Sequence, residues 1–206
     1  MVKAVVFDMG GVLLNLDFNR CIKDFQERAG FMDIADYLDP YHQKGFIGDL
    51  EGGVITEEEF YDECLKHCAP GTSRQVAYEC FVSLLIDLNK PVMEVLMQLR
   101  KDYKLYLLTN NNPLSRRAFD KMILEEEGLK SDDIFTHQFY SYEMKLQKPS
   151  REIFEKTIEG IGCKPEEILF VDDSPANCAA AEEVGIKTVL YTPGTDILAA
   201  LKSCSI

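Results

Sequence analysis

Asp8, Thr109, Lys148 and the pair Asp172-Asp173 are the side chains whose types and positions point to chemistry. Asp8 follows the apolar run KAVVF (3–7), Thr109 follows KLYLL (104–108), and Asp172 follows ILFV (168–171). Lys148 precedes a proline in a loop ahead of a helical pattern. A carboxylate such as Asp8 can attack phosphorus and form an acyl phosphate, which divides a hard hydrolysis into two easier steps. Two anions repel, so a cation must stand between nucleophile and phosphate. Mg2+ suits this because it takes oxygen ligands, commonly one or two carboxylates together with phosphate oxygens and water. Asp8, Asp172 and Asp173 are candidates to supply those carboxylates. The Gly10-Gly11 turn offers backbone amides to phosphate oxygens. The Thr109 hydroxyl and the Asn110 amide offer further donors. The Lys148 ammonium offers positive charge for the transition state.

These residues can act together only if the fold gathers them. The apolar runs at 3–7, 104–108, 168–171 and 186–191, with a shorter one near 134–139, read as buried strands. Helical patterns lie between them at 91–101, from Pro113 after an Asn112 cap, at 150–161, after Ser174-Pro175, and near 194–202. This alternation predicts an α/β protein, a Rossmann-like parallel sheet between two helical layers. In such a sheet the strand ends carrying Asp8, Thr109 and Asp172 share one edge. Residues 18–86 break the alternation with helical patterns at 18–29, 33–47, 57–68 and 72–85. Thr56 and Glu59 form a capping-box signature for the third, and Gly48–Gly53 reads as a turn. The expected organisation is a core of residues 1–16 and 87–206 with a helical-bundle cap, residues 17–86, inserted over the carboxyl end of the first strand.

The chain has 206 residues, 46% of them hydrophobic, and a formal net charge of -13. That charge repels nucleic acid and anionic membranes, so neither is an expected partner. It also repels phosphorylated substrates, which makes a local cation necessary. Seven cysteines and no recognisable secretory segment point to reduced thiols in a cytoplasm. Cys64, His67 and Cys68 resemble half of a zinc site but lack a second half nearby. A monomer is the default expectation, with a weak dimer left open.

The motifs VVFDMGGVL, LLTNN, Lys148-Pro149 and LFVDDSPANCAAAEEVGIKTV occur in an order that closely resembles the haloacid-dehalogenase superfamily. The likeness spans nearly the whole chain, and the inserted helices resemble the cap of one large subgroup. The opening FDMGGVLLNLDFNR is similar to a branch that includes glucose-1-phosphate phosphatases. The resemblance implies a magnesium-dependent phosphatase acting on a small phosphorylated metabolite, preferably a sugar phosphate, through an aspartyl phosphate. Asp8 would be nucleophile and metal ligand. The Gly10 carbonyl and Asp173 would bind the metal directly, and Asp172 through water. Met9, Gly10, Thr109, Asn110 and Lys148 would surround the phosphate.

One position departs from the family pattern. Gly10 stands where the family usually has a second aspartate as general acid and base. Asp17 is the nearest candidate to replace it. Lys145 stands where the family often has glycine, either adding charge or facing solvent. Arg20, His42 and Lys44 are candidate cap contacts to the substrate. A 2-haloacid dehalogenase would leave the paired acids of the fourth motif without a role. A phosphosugar mutase would lack its proton shuttle. A silent, ligand- or partner-binding relative is the remaining alternative.

Overall fold

In the computed structural model, which describes residues 1–39 and 43–202, the predicted strands form one parallel five-stranded sheet of order β5-β4-β1-β6-β7. The strands are β1 (Ala4–Phe7), β4 (Lys104–Thr109), β5 (His137–Tyr140), β6 (Ile168–Asp172) and β7 (Lys187–Leu190). The three central strands are apolar at almost every position because both faces are covered. Along β1, Val5 and Phe7 enter one hydrophobic cluster, while Ala4 and Val6 enter the other. Leu105 and Leu107 alternate with Tyr106 and Leu108 in β4 in the same way, as do Leu169 and Val171 with Ile168 and Phe170 in β6.

The helices supply the outer layers. Helix α5 (Lys90–Leu99), α6 (Pro113–Glu127) and α11 (Ile197–Lys202) bury residues such as Leu96, Phe119 and Leu201 in the first cluster. Helix α9 (Arg151–Ile161) and α10 (Pro175–Glu183) cover the other face with Ile153, Phe154 and Ala181. The result is the expected three-layer α/β/α fold. The chain leaves β1 toward β4 and β5 on one side and returns to β6 and β7 on the other. The order reverses at β1, where open sheets of this kind leave a crevice at the carboxyl ends of their strands.

The segment between β1 and β4 is mostly helical, with three differences from the predicted elements. First, α1 (Phe18–Asp24) continues as one π-helical turn over Phe25–Ala29. Second, the helix predicted over 33–47 is not continuous. A short 3-10 turn spans Ile34–Asp36, and α2 (Gly45–Glu51) begins later and runs through Gly48. The predicted turn therefore shrinks to Gly52-Gly53. A Cβ at Gly48 would lie 2.4 Å from the Gln43 carbonyl oxygen, so glycine is there for close packing rather than for a turn. Third, the pattern at 72–85 ends as α4 (Arg74–Val82), and residues Leu85–Leu88 form a strand, β3. It pairs antiparallel with β2 (Leu14–Leu16). The chain thus enters and leaves the inserted helices through a two-stranded ribbon. Helix α3 (Glu57–His67) carries the predicted capping box, with the Thr56 amide donating to Glu59 Oε2 at 2.7 Å and the Glu59 amide to Thr56 Oγ1 at 3.3 Å.

The interior of the inserted helices is aromatic. Phe31 meets Phe25 edge-on at 5.6 Å and stacks on His67 at 4.8 Å, and Phe60 meets Phe81 at 5.4 Å. His67 is thus packed among rings, and the Cys68 thiol donates to the Cys64 carbonyl oxygen at 3.3 Å. Cys21, Cys64, Cys68, Cys80, Cys163 and Cys178 are free thiols. No helix among the described residues is long and apolar enough to cross a membrane.

Asn89 ties the ribbon to the sheet. Its side-chain amide donates to the Val12 carbonyl oxygen at 2.9 Å and contacts the Tyr191 hydroxyl at 3.1 Å, all within the interior. Replacement by alanine strands a buried carbonyl, a loss of about 1–3 kcal/mol. Urea unfolding of Asn89→Ala should show that decrease, and an unchanged midpoint would remove Asn89 from this role.

Candidate active site

Parallel pairing brings the carboxyl ends of β1, β4 and β6 side by side. Phe7 is in register with Leu107 on one neighbour and Val171 on the other. The residues just beyond therefore meet. Asp8, Asp172 and Asp173 each offer a carboxylate oxygen within 4.8 Å of the others. Their amide neighbours fix the backbone: the Asp8 amide donates to the Val171 carbonyl oxygen at 2.9 Å.

Lys148 enters this group from the loop after α8 (Ser141–Met144), which follows the short α7 (Ser131–Ile134) and β5. Its ammonium lies 2.9 Å from Asp8 Oδ1 and 2.6 Å from Asp172 Oδ2, and donates to the Leu108 carbonyl oxygen at 3.1 Å. The residue is 2% exposed. Burial alone would lower the lysine pKa, but Asp172 and Asp8 hold it above its ordinary value. Asp172 is wholly buried and also accepts from the Ser174 amide at 2.8 Å and the Asn177 side-chain amide at 3.0 and 3.1 Å. Asp172 is thus saturated by protein donors, and Asn177 is a supporting residue whose role the sequence motif did not reveal.

Three carboxylates face one ammonium, and burial together with the surplus negative charge weakens the acidity of Asp8 and Asp173. Burial pushes Asp8 up to about 7; Lys148 opposes this, and Asp172 and Asp173 add to it. Burial and the charge of Asp172 push Asp173 up to about 6. A buried all-oxygen set with excess negative charge fits a hard divalent cation. Gly11 lets Asp173 approach. The glycine has φ +73°, and a Cβ there would sit 2.2 Å from Asp173 Oδ2.

Asp8, Asp173 and Lys148, with Asp172 buried behind them, line the floor of a cavity of about 330 Å3. Met9, Gly10, Thr109 and Asn110 also line it, but three expected donors are already engaged. The Thr109 hydroxyl donates to the Asn110 carbonyl oxygen at 3.4 Å. The Gly11 amide donates to the Leu14 carbonyl oxygen at 2.9 Å. The Asn110 side chain clamps the lysine loop, accepting from the Lys148 amide at 2.8 Å and donating to the Lys148 carbonyl oxygen at 2.9 Å. Its amide group is therefore a brace for Lys148 rather than a free donor. Met9 buries its thioether, which accepts from the Asn111 amide at 3.4 Å.

The roof comes from the inserted helices through Phe18, Leu38, Gln43, Glu51, Phe81 and Leu84. Arg20 and Lys44 are exposed and do not line the cavity, and His42 lies outside the described residues. Asp17 caps α1, accepting from the Arg20 amide at 3.1 Å, and is not a lining residue either. Lys145 is exposed in the left-handed conformation, φ 54°, that glycine adopts freely, so it faces solvent. Glu51 was hidden by its glycine-rich setting. Its carbonyl oxygen accepts from Ser141 Oγ at 2.6 Å, and that hydroxyl accepts from the Asn111 amide at 2.9 Å. Burial pushes the Glu51 carboxyl up to about 8; a hydrogen bond from Asn112 opposes this, and Asp8 adds to it. Gly53 follows at φ +64°, where a Cβ would lie 2.1 Å from the Tyr142 carbonyl oxygen. The turn after α2 is thus pressed against α8.

Residues 2–185 match the family described as haloacid dehalogenase-like hydrolase. The chain is 30% identical over 196 residues to the D-ribitol-5-phosphate phosphatase of Bacteroides thetaiotaomicron, with 95% of each chain covered. Its structure aligns at TM-score 0.91 and 33% identity with a HAD family enzyme of the same bacterium, solved as an aspartate-to-alanine variant in complex with magnesium and inorganic phosphate. That alignment covers 98% of this chain and 99% of the other. A HAD-like family hydrolase from Porphyromonas gingivalis aligns at TM-score 0.88 and 35% identity, covering 100% of this chain and 98% of its own.

Gly11→Ala should drive the Asp173 carboxylate away from the other two. Thermal unfolding with and without Mg2+ tests this. A cation at 100 times its dissociation constant stabilises by about 2.7 kcal/mol, and the variant should lose that response at the same concentration. An equal response in both proteins would separate Gly11 from the cation site.

Proposed function

From the chain's membership of the haloacid dehalogenase-like hydrolases, we propose that it is a Mg2+-dependent phosphatase of small phosphorylated metabolites, with a sugar or polyol phosphate as the preferred class. One observation carries this reading: three carboxylates lie within 4.8 Å of one another, two of them, Asp8 and Asp173, lining a cavity, with a buried lysine bound to Asp8 and Asp172. Relatives that cover nearly the whole chain support it through a polyol-phosphate substrate in one case and bound magnesium and phosphate in the other.

Asp8 is the nucleophile. A carboxylate oxygen attacks phosphorus as the bond to the leaving oxygen breaks, and water then hydrolyses the aspartyl phosphate. Asp8, Asp173 and the Gly10 carbonyl would hold Mg2+, while Asp172, its oxygens already taken by protein donors, holds Lys148 beside them rather than reaching the ion through water. Bound there, the ion supplies the positive charge that lets two anions meet. Lys148 holds Asp8 in place and offers its charge to the equatorial oxygens as they gather negative charge. Thr109 adds a hydroxyl donor, and Met9, Gly10 and Asn110 contribute backbone to the phosphate pocket. The helices of residues 17–86 act as a cap that excludes water and selects the leaving group.

Purified protein should release nitrophenol from p-nitrophenyl phosphate with Mg2+ and stop when EDTA is added. Asp8→Asn should fold normally and lose more than ~10³-fold in kcat. Turnover that survives EDTA, or a substantial rate in the variant, would contradict the reading.

A further inference from the structure

An alkyl phosphate needs a proton on its leaving oxygen as the P–O bond breaks, because an alkoxide leaves poorly. Gly10 has no proton to give. The space beside it is taken by an apolar group, since a Cβ at position 10 would meet Leu16 Cδ1 at 3.1 Å. Among the described residues that line the cavity, the carboxyl groups belong to Asp8, Asp173 and Glu51. The first two are committed to nucleophile and cation. Glu51 remains, and it comes from the roof, whereas Asp8 rises from the floor.

Its position is fixed by the core. The Asn112 side chain spends its oxygen capping α6, accepting from the Leu114 amide at 3.1 Å and the Ser115 amide at 3.0 Å. Asn112 lines the cavity together with Glu51 and opposes part of the rise that burial causes in the Glu51 carboxyl. Ser141 anchors the Glu51 backbone at the same time.

We infer that Glu51 is the general acid and base of this site, in place of the missing aspartate. This rests on the phosphatase reading. In the first half-reaction the Asp8 oxygen bonds to phosphorus, the bond from phosphorus to the ester oxygen breaks, and the Glu51 proton passes to that oxygen to give the free alcohol. In the second, the Glu51 carboxylate takes a proton from water while the water oxygen attacks the phosphorus of the aspartyl phosphate. Inorganic phosphate leaves, the Asp8 carboxylate is restored, and Glu51 is again protonated. A carboxyl held above the usual range by burial keeps its proton near neutrality, as an acid catalyst requires. Because Glu51 belongs to the inserted helices, catalysis of poor leaving groups depends on the cap being seated.

The test compares two esters with Mg2+: p-nitrophenyl phosphate, whose leaving group needs no proton, and glycerol 3-phosphate, whose leaving group does. Glu51→Gln keeps the shape and removes the acid. Its kcat/KM should fall about 10²–10⁴-fold on the alkyl ester and less than about tenfold on the aryl ester. Its kcat should fall on both, because water activation is shared. Equal losses in kcat/KM on the two esters, or none on the alkyl ester, would overturn the assignment. Should Glu51→Gln not fold, Glu51→Asp keeps an acid one methylene shorter and carries the same comparison, with a larger loss on the alkyl ester expected and equal losses overturning the role. Inactivity of the unmodified protein on both esters would overturn the phosphatase reading together with this one.

Discussion

The ammonium of Lys148 holds the architecture to its purpose. It lies between Asp8 and Asp172 and reaches the Leu108 carbonyl oxygen, so one buried cation touches the ends of β1, β4 and β6. Removing a charged group from water costs several kcal/mol, and only close, fully bonded partners offset that. Everything nearby serves this offset. Asn110 grips the lysine backbone on both sides, and Asn177 and the Ser174 amide fill the remaining valences of Asp172. Asp173 and the free edge of Asp8 are left turned toward the cavity, which gives the site its appetite for a second positive charge.

The sheet and its working edge were legible because the physics is local and repetitive. After the leading lysine of the first two, KAVVF, KLYLL and ILFV are apolar without interruption, as a strand covered on both faces requires, and each is followed by a residue that burial disfavours. Asn112-Pro113 and Ser174-Pro175 marked helix starts by cap chemistry, and both side chains accept the amide bonds expected of them. The β2–β3 ribbon was hidden because three or four residues are too few for a period. Leu84 and Leu85 read as the last turn of α4 until long-range pairing claimed them. Helix α2 was hidden by Gly45, Gly48 and Gly52, whose usual meaning is a turn. Here Gly48 serves close packing against Gln43 inside a helix.

The candidate site divides along the same line. Asp8, Thr109, Asp172 and Asp173 could be found because their place is set by strand ends, and Lys148 because a lysine before a proline stands out in its loop. Asn110 and Ser141 could not be given their supporting roles, since each role is a hydrogen bond to a residue distant in sequence. Asn177 bonds Asp172 five residues back, but only the turn from β6 into α10 brings the two together. Arg20 and Lys44 fall outside the cavity for a related reason. Both attract attention as charges, yet the roof is mostly apolar, with Phe18, Leu38, Phe81 and Leu84 facing the cavity. A roof of this kind repels water and leaves recognition to a few polar groups, Gln43 and Glu51 among them.

The paired strands Leu14–Leu16 and Leu85–Leu88 have an energetic consequence for the fold's history. Loop closure grows costlier with the length of free chain between two contacts. Here the stretch from 17 to 84 is pinched shut at its base, so β1 and β4 meet as though joined by a short connector. The sheet is indifferent to how many residues hang beyond the pinch. A graft of another size, with its ends equally close, would leave the catalytic floor untouched while replacing the whole chamber above it.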